Sequence, residues 1–120
     1  MRAIEIISIP VTDQQRAKAF YKELGFEVIA EAPFGGGSQW IQMGFPGQDA
    51  SITLVNWFPN MPAGCVNGFV IKTKNVEDDI KELTEKGINV GTIDNTPWGK
   101  FLSVKDPDGN VLSLHESSVD

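Results

Sequence analysis

Val104-Lys105-Asp106-Pro107-Asp108-Gly109-Asn110-Val111-Leu112-Ser113-Leu114-His115 holds at its centre a turn with a mechanism. In Asp106-Pro107-Asp108-Gly109-Asn110 the proline presets φ, the glycine accepts positive φ, and the Asp and Asn side chains bond nearby backbone N–H groups. Extended segments flank it at 100–105 and 111–116, so the run predicts a β-hairpin. Alternation along the second strand puts Val111, Ser113 and His115 on one face and Leu112, Leu114 and Glu116 on the other. That strand is expected to form one wall of any binding site.

Upstream of the hairpin, residues 67–73 read as a strand. Asn75 caps a helix carrying Val76, Ile80 and Leu83, and Gly87 stops it. Residues 88–93 are short and extended, and 94–99, with Pro97 and Trp98, form an aromatic loop. The first half has the same order. Residues 3–11 predict a strand, apolar on both faces and therefore expected to be covered on both sides. Thr12 or Asp13 caps a helix whose buried stripe is Ala17, Phe20, Tyr21 and Leu24, and Gly25 ends it. Residues 26–31 are a second strand and 32–37 a loose link. Residues 38–45 are a third strand, with Trp40 and Gln42 on one face and Gln39, Ile41 and Met43 on the other. Pro46-Gly47-Gln48-Asp49 is a turn, and 51–56 a fourth strand. Residues 57–66 carry Pro59, Pro62 and Gly64 without a period and connect the halves; their Trp57 and Phe58 either plug the core or cover a pocket. Asp13/Asn75, Gly25/Gly87, Phe26/Ile88 and Val28/Val90 recur at an offset of about 62 residues, the pattern of an internal repeat. The expectation is an α+β chain of one domain, built from two βαβββ modules at about 1–58 and 66–120. Their curled sheets can enclose a cleft.

At 120 residues the chain supports one core, and 41% hydrophobic with 22% charged residues is ordinary globular composition. A net charge of −6 with scattered basic residues argues against nucleic acid, which requires a concentrated cationic surface. No apolar run is long enough for a bilayer and no signal-peptide layout is present, so no membrane partner and a cytoplasmic location are expected. Cys65 is the single cysteine, which excludes an internal disulfide framework and a Cys-rich metal cluster. Gly35-Gly36-Gly37 does not precede a helix and is no phosphate loop.

Ile9-Pro10-Val11-Thr12-Asp13, Ala19-Phe20-Tyr21, Leu24-Gly25-Phe26 and Asp106-Pro107-Asp108-Gly109-Asn110 together resemble the glyoxalase / bleomycin-resistance / extradiol dioxygenase (vicinal oxygen chelate) superfamily. The resemblance covers essentially the whole chain. It implies paired modules with curled mixed sheets, a homodimer, and pockets within the sheets. It also implies one of two chemistries. Metal-dependent members isomerise or cleave oxygen-bearing substrates or modify an antibiotic, and metal-free members sequester a drug. The family's two histidine positions fall on Ile6 and Gly68, and its C-terminal-strand carboxylate position on Ser113. Neither Ile6 nor Gly68 offers a ligating side chain, and a serine hydroxyl poorly replaces a carboxylate. No metal or other cofactor is therefore expected.

The expected function is binding of a small aromatic or amphipathic molecule, with Trp40, Gln42, Trp57, Phe58, Trp98, Phe101, Ser113 and His115 as lining. Two alternatives stand beside it: a divalent-metal lyase or dioxygenase with a non-standard site, and a dimeric interaction domain without a small ligand. Whether the chain is an enzyme stays open at this level. His115 is the candidate for metal-free proton transfer, and no second catalytic group accompanies it.

Overall fold

The helices form where cap and stop residues predict them. In the computed structural model, which describes residues 1–118, α1 spans Gln14–Glu23 and α2 spans Val76–Glu85. Residues 119–120, the last of the second expected repeat, lie outside the described residues. The Asp13 carboxylate accepts from Arg16 N at 3.1 Å and the Asn75 amide oxygen from Asp78 N at 2.9 Å. Each satisfies a first-turn N–H that has no partner within the helix. Gly25 and Gly87 follow with φ of 105° and 78°, the left-handed conformation that ends a helix without a Cβ clash.

The strands are β1 (Ile6–Pro10), β2 (Glu27–Pro33), β3 (Gln39–Gly44), β4 (Ser51–Val55), β5 (Phe69–Thr73), β6 (Val90–Thr96), β7 (Gly99–Lys105) and β8 (Val111–Ser117). They make two four-stranded sheets ordered β1-β4-β3-β2 and β5-β8-β7-β6, so the chain is α+β with two tandem βαβββ modules. Each sheet has one parallel pair, β1 with β4 and β5 with β8. The outer strands β2 and β6 each contain a register shift, at Val28/Ala30 and Val90/Ile93, and such bulges bend a strand and curl its sheet.

One face of each sheet is closed by its helix. Ile9, Ile41, Met43, Ile52 and Leu54 are buried in the first module with Ala17 and Tyr21; Leu102, Val104, Leu112 and Leu114 are buried in the second with Val76 and Leu83. Each fully buried aliphatic side chain contributes roughly 1.5–3 kcal/mol. Phe20 and Leu24, the rest of the expected α1 stripe, are partly buried against the same core.

Three expectations are corrected. The link at 32–37 is shorter than expected, because β2 continues to Pro33 in register with Gln39. The aromatic loop at 94–99 is a tight hairpin: Thr96 pairs with Gly99, leaving Pro97-Trp98 as its turn. The Thr96 hydroxyl closes it, donating to Gly99 O at 2.8 Å and accepting from Trp98 N at 3.1 Å. Thirdly, β1 starts at Ile6 and is not covered on both sides. Ile9 is buried, but Ile6 and Ile7 remain 37% and 42% exposed, and β1 is an edge strand that pairs, among the described residues, with β4 alone.

The Asp106–Asn110 turn joins the modules. Asn110 Nδ2 donates to Pro10 O at 2.9 Å, the Tyr21 hydroxyl donates to Asp106 Oδ2 at 2.8 Å, and the Thr12 hydroxyl donates to Asp108 Oδ1 at 2.6 Å.

Candidate functional site

With one face of each sheet under a helix, candidate binding surfaces are the two open faces. On the first, register places Ser8 beside Thr53, Thr53 beside Gln42, and Ala32 beside Trp40. A polar ladder runs across this face. Trp40 Nε1 donates to Gln42 Oε1 at 3.4 Å, Gln42 Nε2 to Ser51 Oγ at 2.9 Å, and Ser51 Oγ to Glu5 O at 2.7 Å. Ser8 Oγ and Thr53 Oγ1 lie 3.4 Å apart. At one end of the ladder the rings gather. Trp57 comes from the connecting segment and lies 6.3 Å from Trp40 at an interplanar angle of 23°. Phe34 closes on both, 4.5 Å from Trp57 and 5.5 Å from Trp40, and Phe58 is 6.0 Å from Trp57. Phe34 and Phe58 are about half exposed. Phe34 is absent from the expected lining, although an aromatic beside a glycine run between two strands is a legible signal for a ring at a hairpin tip.

The second open face carries Phe101, Ser103, Ser113 and His115, with Ser103 paired to Ser113 and Phe101 to His115. The Phe101 and His115 rings stack at 4.3 Å and 16°. His115 Nε2 lies 3.0 Å from Trp98 O. The Trp98 side chain itself is 71% exposed at the tip of the β6–β7 hairpin. Leu112 and Leu114 face the core, and Glu116 turns toward α2, where its Oε1 accepts from Val76 N at 2.9 Å.

The expected lining residues therefore fall into two groups: Trp40, Gln42, Trp57 and Phe58 on the first module, and Trp98, Phe101, Ser113 and His115 on the second. Among the described residues no ring of one group touches a ring of the other. A groove of about 720 Å³ lies between β1 and β5, lined by Ile7, Phe45, Ile52, Gly68, Val70 and Lys72 among others, and it meets the second open face at Val70 and Lys72.

The positions that the family resemblance assigns to metal ligands carry neither imidazole nor carboxylate. Ile6 is aliphatic, Gly68 has no side chain, and Ser113 offers a neutral hydroxyl on the open face between Val70 and Ser103. Among the described residues no three His, Cys, Asp or Glu side chains converge. Imidazole and carboxylate donors are what such a site requires.

Paired βαβββ modules with open, curled sheet faces are the architecture of the glyoxalase type. Residues 3–114 match the Glyoxalase/Bleomycin resistance protein/Dioxygenase superfamily, and the chain belongs to it. It is similar to TnmS3, an antibiotic binding protein from Streptomyces sp. CB03234, with 40% identity, 98% of each chain covered and a TM-score of 0.92. A glyoxalase/bleomycin resistance protein from the same organism is 41% identical over 95% of this chain and all of its own, with a TM-score of 0.83. YetH of Bacillus subtilis (strain 168) is 26% identical over 97% of this chain and 99% of its own. No helix among the described residues is long and apolar enough to cross a membrane.

Proposed function

We propose that the chain acts as a cytoplasmic homodimer that binds a flat aromatic or amphipathic molecule of antibiotic type without a metal. The ligand lies between the open face of the first sheet of one copy and that of the second sheet of its partner. The observation that carries this reading is the cluster of Phe34, Trp40 and Trp57 around the Gln42 ladder on a face no helix covers. Large aromatic surface supplies affinity for a flat ring, and a few fixed amide and hydroxyl groups orient it. Whole-length similarity to an antibiotic binding protein supports the ligand class. The unsuitable donors at Ile6, Gly68 and Ser113 support binding over metal-dependent turnover. A second copy is supported by the free apolar edges of β1 and β5, where Ile7 and Val70, both exposed, line the groove.

The test is titration with doxorubicin, a planar cation, and bleomycin, a basic glycopeptide, followed by tryptophan fluorescence and calorimetry with and without EDTA. Saturable binding at one or both, unchanged by chelator and weakened about tenfold or more by Trp40→Ala or Trp57→Ala, is the expected result. Silence with both drugs, or binding that vanishes with EDTA, rejects the proposal.

A further inference from the structure

Four residues form one straight row across the open face of the second sheet. Asp94 on β6 pairs with Phe101 on β7, Phe101 with His115 on β8, and His115 with Lys72 on β5. Paired residues on adjacent strands project from the same face about 5 Å apart, so the row reads carboxylate, ring, imidazole, ammonium.

The imidazole in this row has a defined orientation. A backbone carbonyl only accepts, so the 3.0 Å contact to Trp98 O requires His115 Nε2 to carry the proton. The same carbonyl accepts from Ser118 N at 3.1 Å, and Phe101 stacks on the ring, so the imidazole is held from its edge and its face. In the neutral ring Nδ1 is then a bare acceptor, and among the described residues it has no hydrogen-bond partner. Lys72, exposed beside it on the edge strand, has no ion-pair partner among the described residues. Glu116 and Lys100 lie on the opposite face, and Asp94 is separated from His115 by Phe101. A hydrogen-bond acceptor and a cation on paired neighbouring residues suit one oxygen that bears a proton and carries partial negative charge.

We propose that His115 and Lys72 form a subsite for an acidic hydroxyl on the flat ligand, its O–H donating to His115 Nδ1 and its oxygen lying beside the Lys72 ammonium. The inference rests on the proposed function and narrows its ligand class to hydroxylated aromatics, phenols above all.

The test uses 7-hydroxycoumarin and 7-methoxycoumarin, equally flat, of which only the first has an acidic hydroxyl. The hydroxy compound is expected to bind about tenfold or more tightly than the methoxy compound, with Lys72→Met and His115→Phe each reducing the ratio to about twofold or less. Nitrogen NMR of the single histidine supplies a second readout. The free protein should show the Nε2–H form, with Nδ1 shifting on addition of the hydroxy compound and not of the methoxy compound. Equal affinities, an Nδ1–H ring, or no binding of either coumarin overturns the subsite. The wider proposal fails separately, with the drug titration.

Discussion

Buried at the junction of the modules, the Asp106 carboxylate accepts from four donors. Tyr21 Oη and Asn110 Nδ2 reach Oδ2 at 2.8 and 2.7 Å, and the backbone N–H groups of Asp108 and Asn110 each reach Oδ1 at 2.9 Å. The turn chemistry was legible from residue types; the tyrosine was not, because it lies 85 residues away in sequence. Burial, and then the neighbouring Asp106 charge, push the Tyr21 hydroxyl far above its ordinary value near 10. Below that value the contribution is fully present. Above it the unfolded tyrosine ionises while the native one stays protonated, so stability falls with rising pH by about 1.4 kcal/mol per unit. Lys86 and Lys100, raised by their hydrogen bonds to Glu23, Glu82 and Glu77, act in the same direction, so Tyr21→Phe is the needed reference. Tyr21 is the only tyrosine, and absorbance near 295 nm should therefore show no tyrosinate until the protein unfolds. Tyrosinate in the folded protein would contradict this burial. In urea at neutral pH, Tyr21→Phe should cost about 1–2 kcal/mol, and Asp106→Ala about 3 kcal/mol, because it leaves several buried donors unpaired.

At the scale of elements, α2 is anchored twice at its start, by the Asn75 amide on Asp78 N and by Glu116 reaching from β8 to Val76 N. Asn75 was readable as a cap because the rule is local; Glu116 was readable only as lying opposite His115, because its partner depends on where the strand meets the helix. Asn75→Ala should lower the unfolding free energy by about 1 kcal/mol, with Asn75→Asp restoring most of it, measured as urea midpoints at constant slope. An unchanged midpoint for Asn75→Ala would mean that Glu116 suffices. The β2–β3 hairpin shows the opposite kind of legibility. Its three glycines adopt φ of 84°, 58° and 83°, which conceals in the sequence how far the strand runs before them and that Phe34 reaches Trp40 and Trp57. Gln14 was missed for a similar reason. It is a polar residue in the first helical turn, buried because its amide bonds Gln39 O, Leu54 O and Gln39 N across the module.

For the whole molecule, the free edges of β1 and β5 set the prediction. Unpaired strand edges with apolar side chains are templates for another chain. The protein should therefore sediment at about twice its 13.1 kDa chain mass. Ile7→Lys combined with Val70→Lys should give a folded monomer with drug affinity reduced about tenfold or more, as the ligand faces separate. A double variant that remains dimeric would place the interface elsewhere.

What the sequence by itself determined was the set of elements, their duplication, and the lack of an imidazole or carboxylate at Ile6, Gly68 and Ser113. Caps, glycine stops, side-chain periods and donor chemistry are local properties, carried within a few residues of each position. Only the tertiary structure decided that the expected lining rings divide between two open faces, that Tyr21 belongs to the hairpin turn, and that Lys72 stands beside His115. Those relations depend on strand order and register, which are set by contacts between residues far apart in the chain.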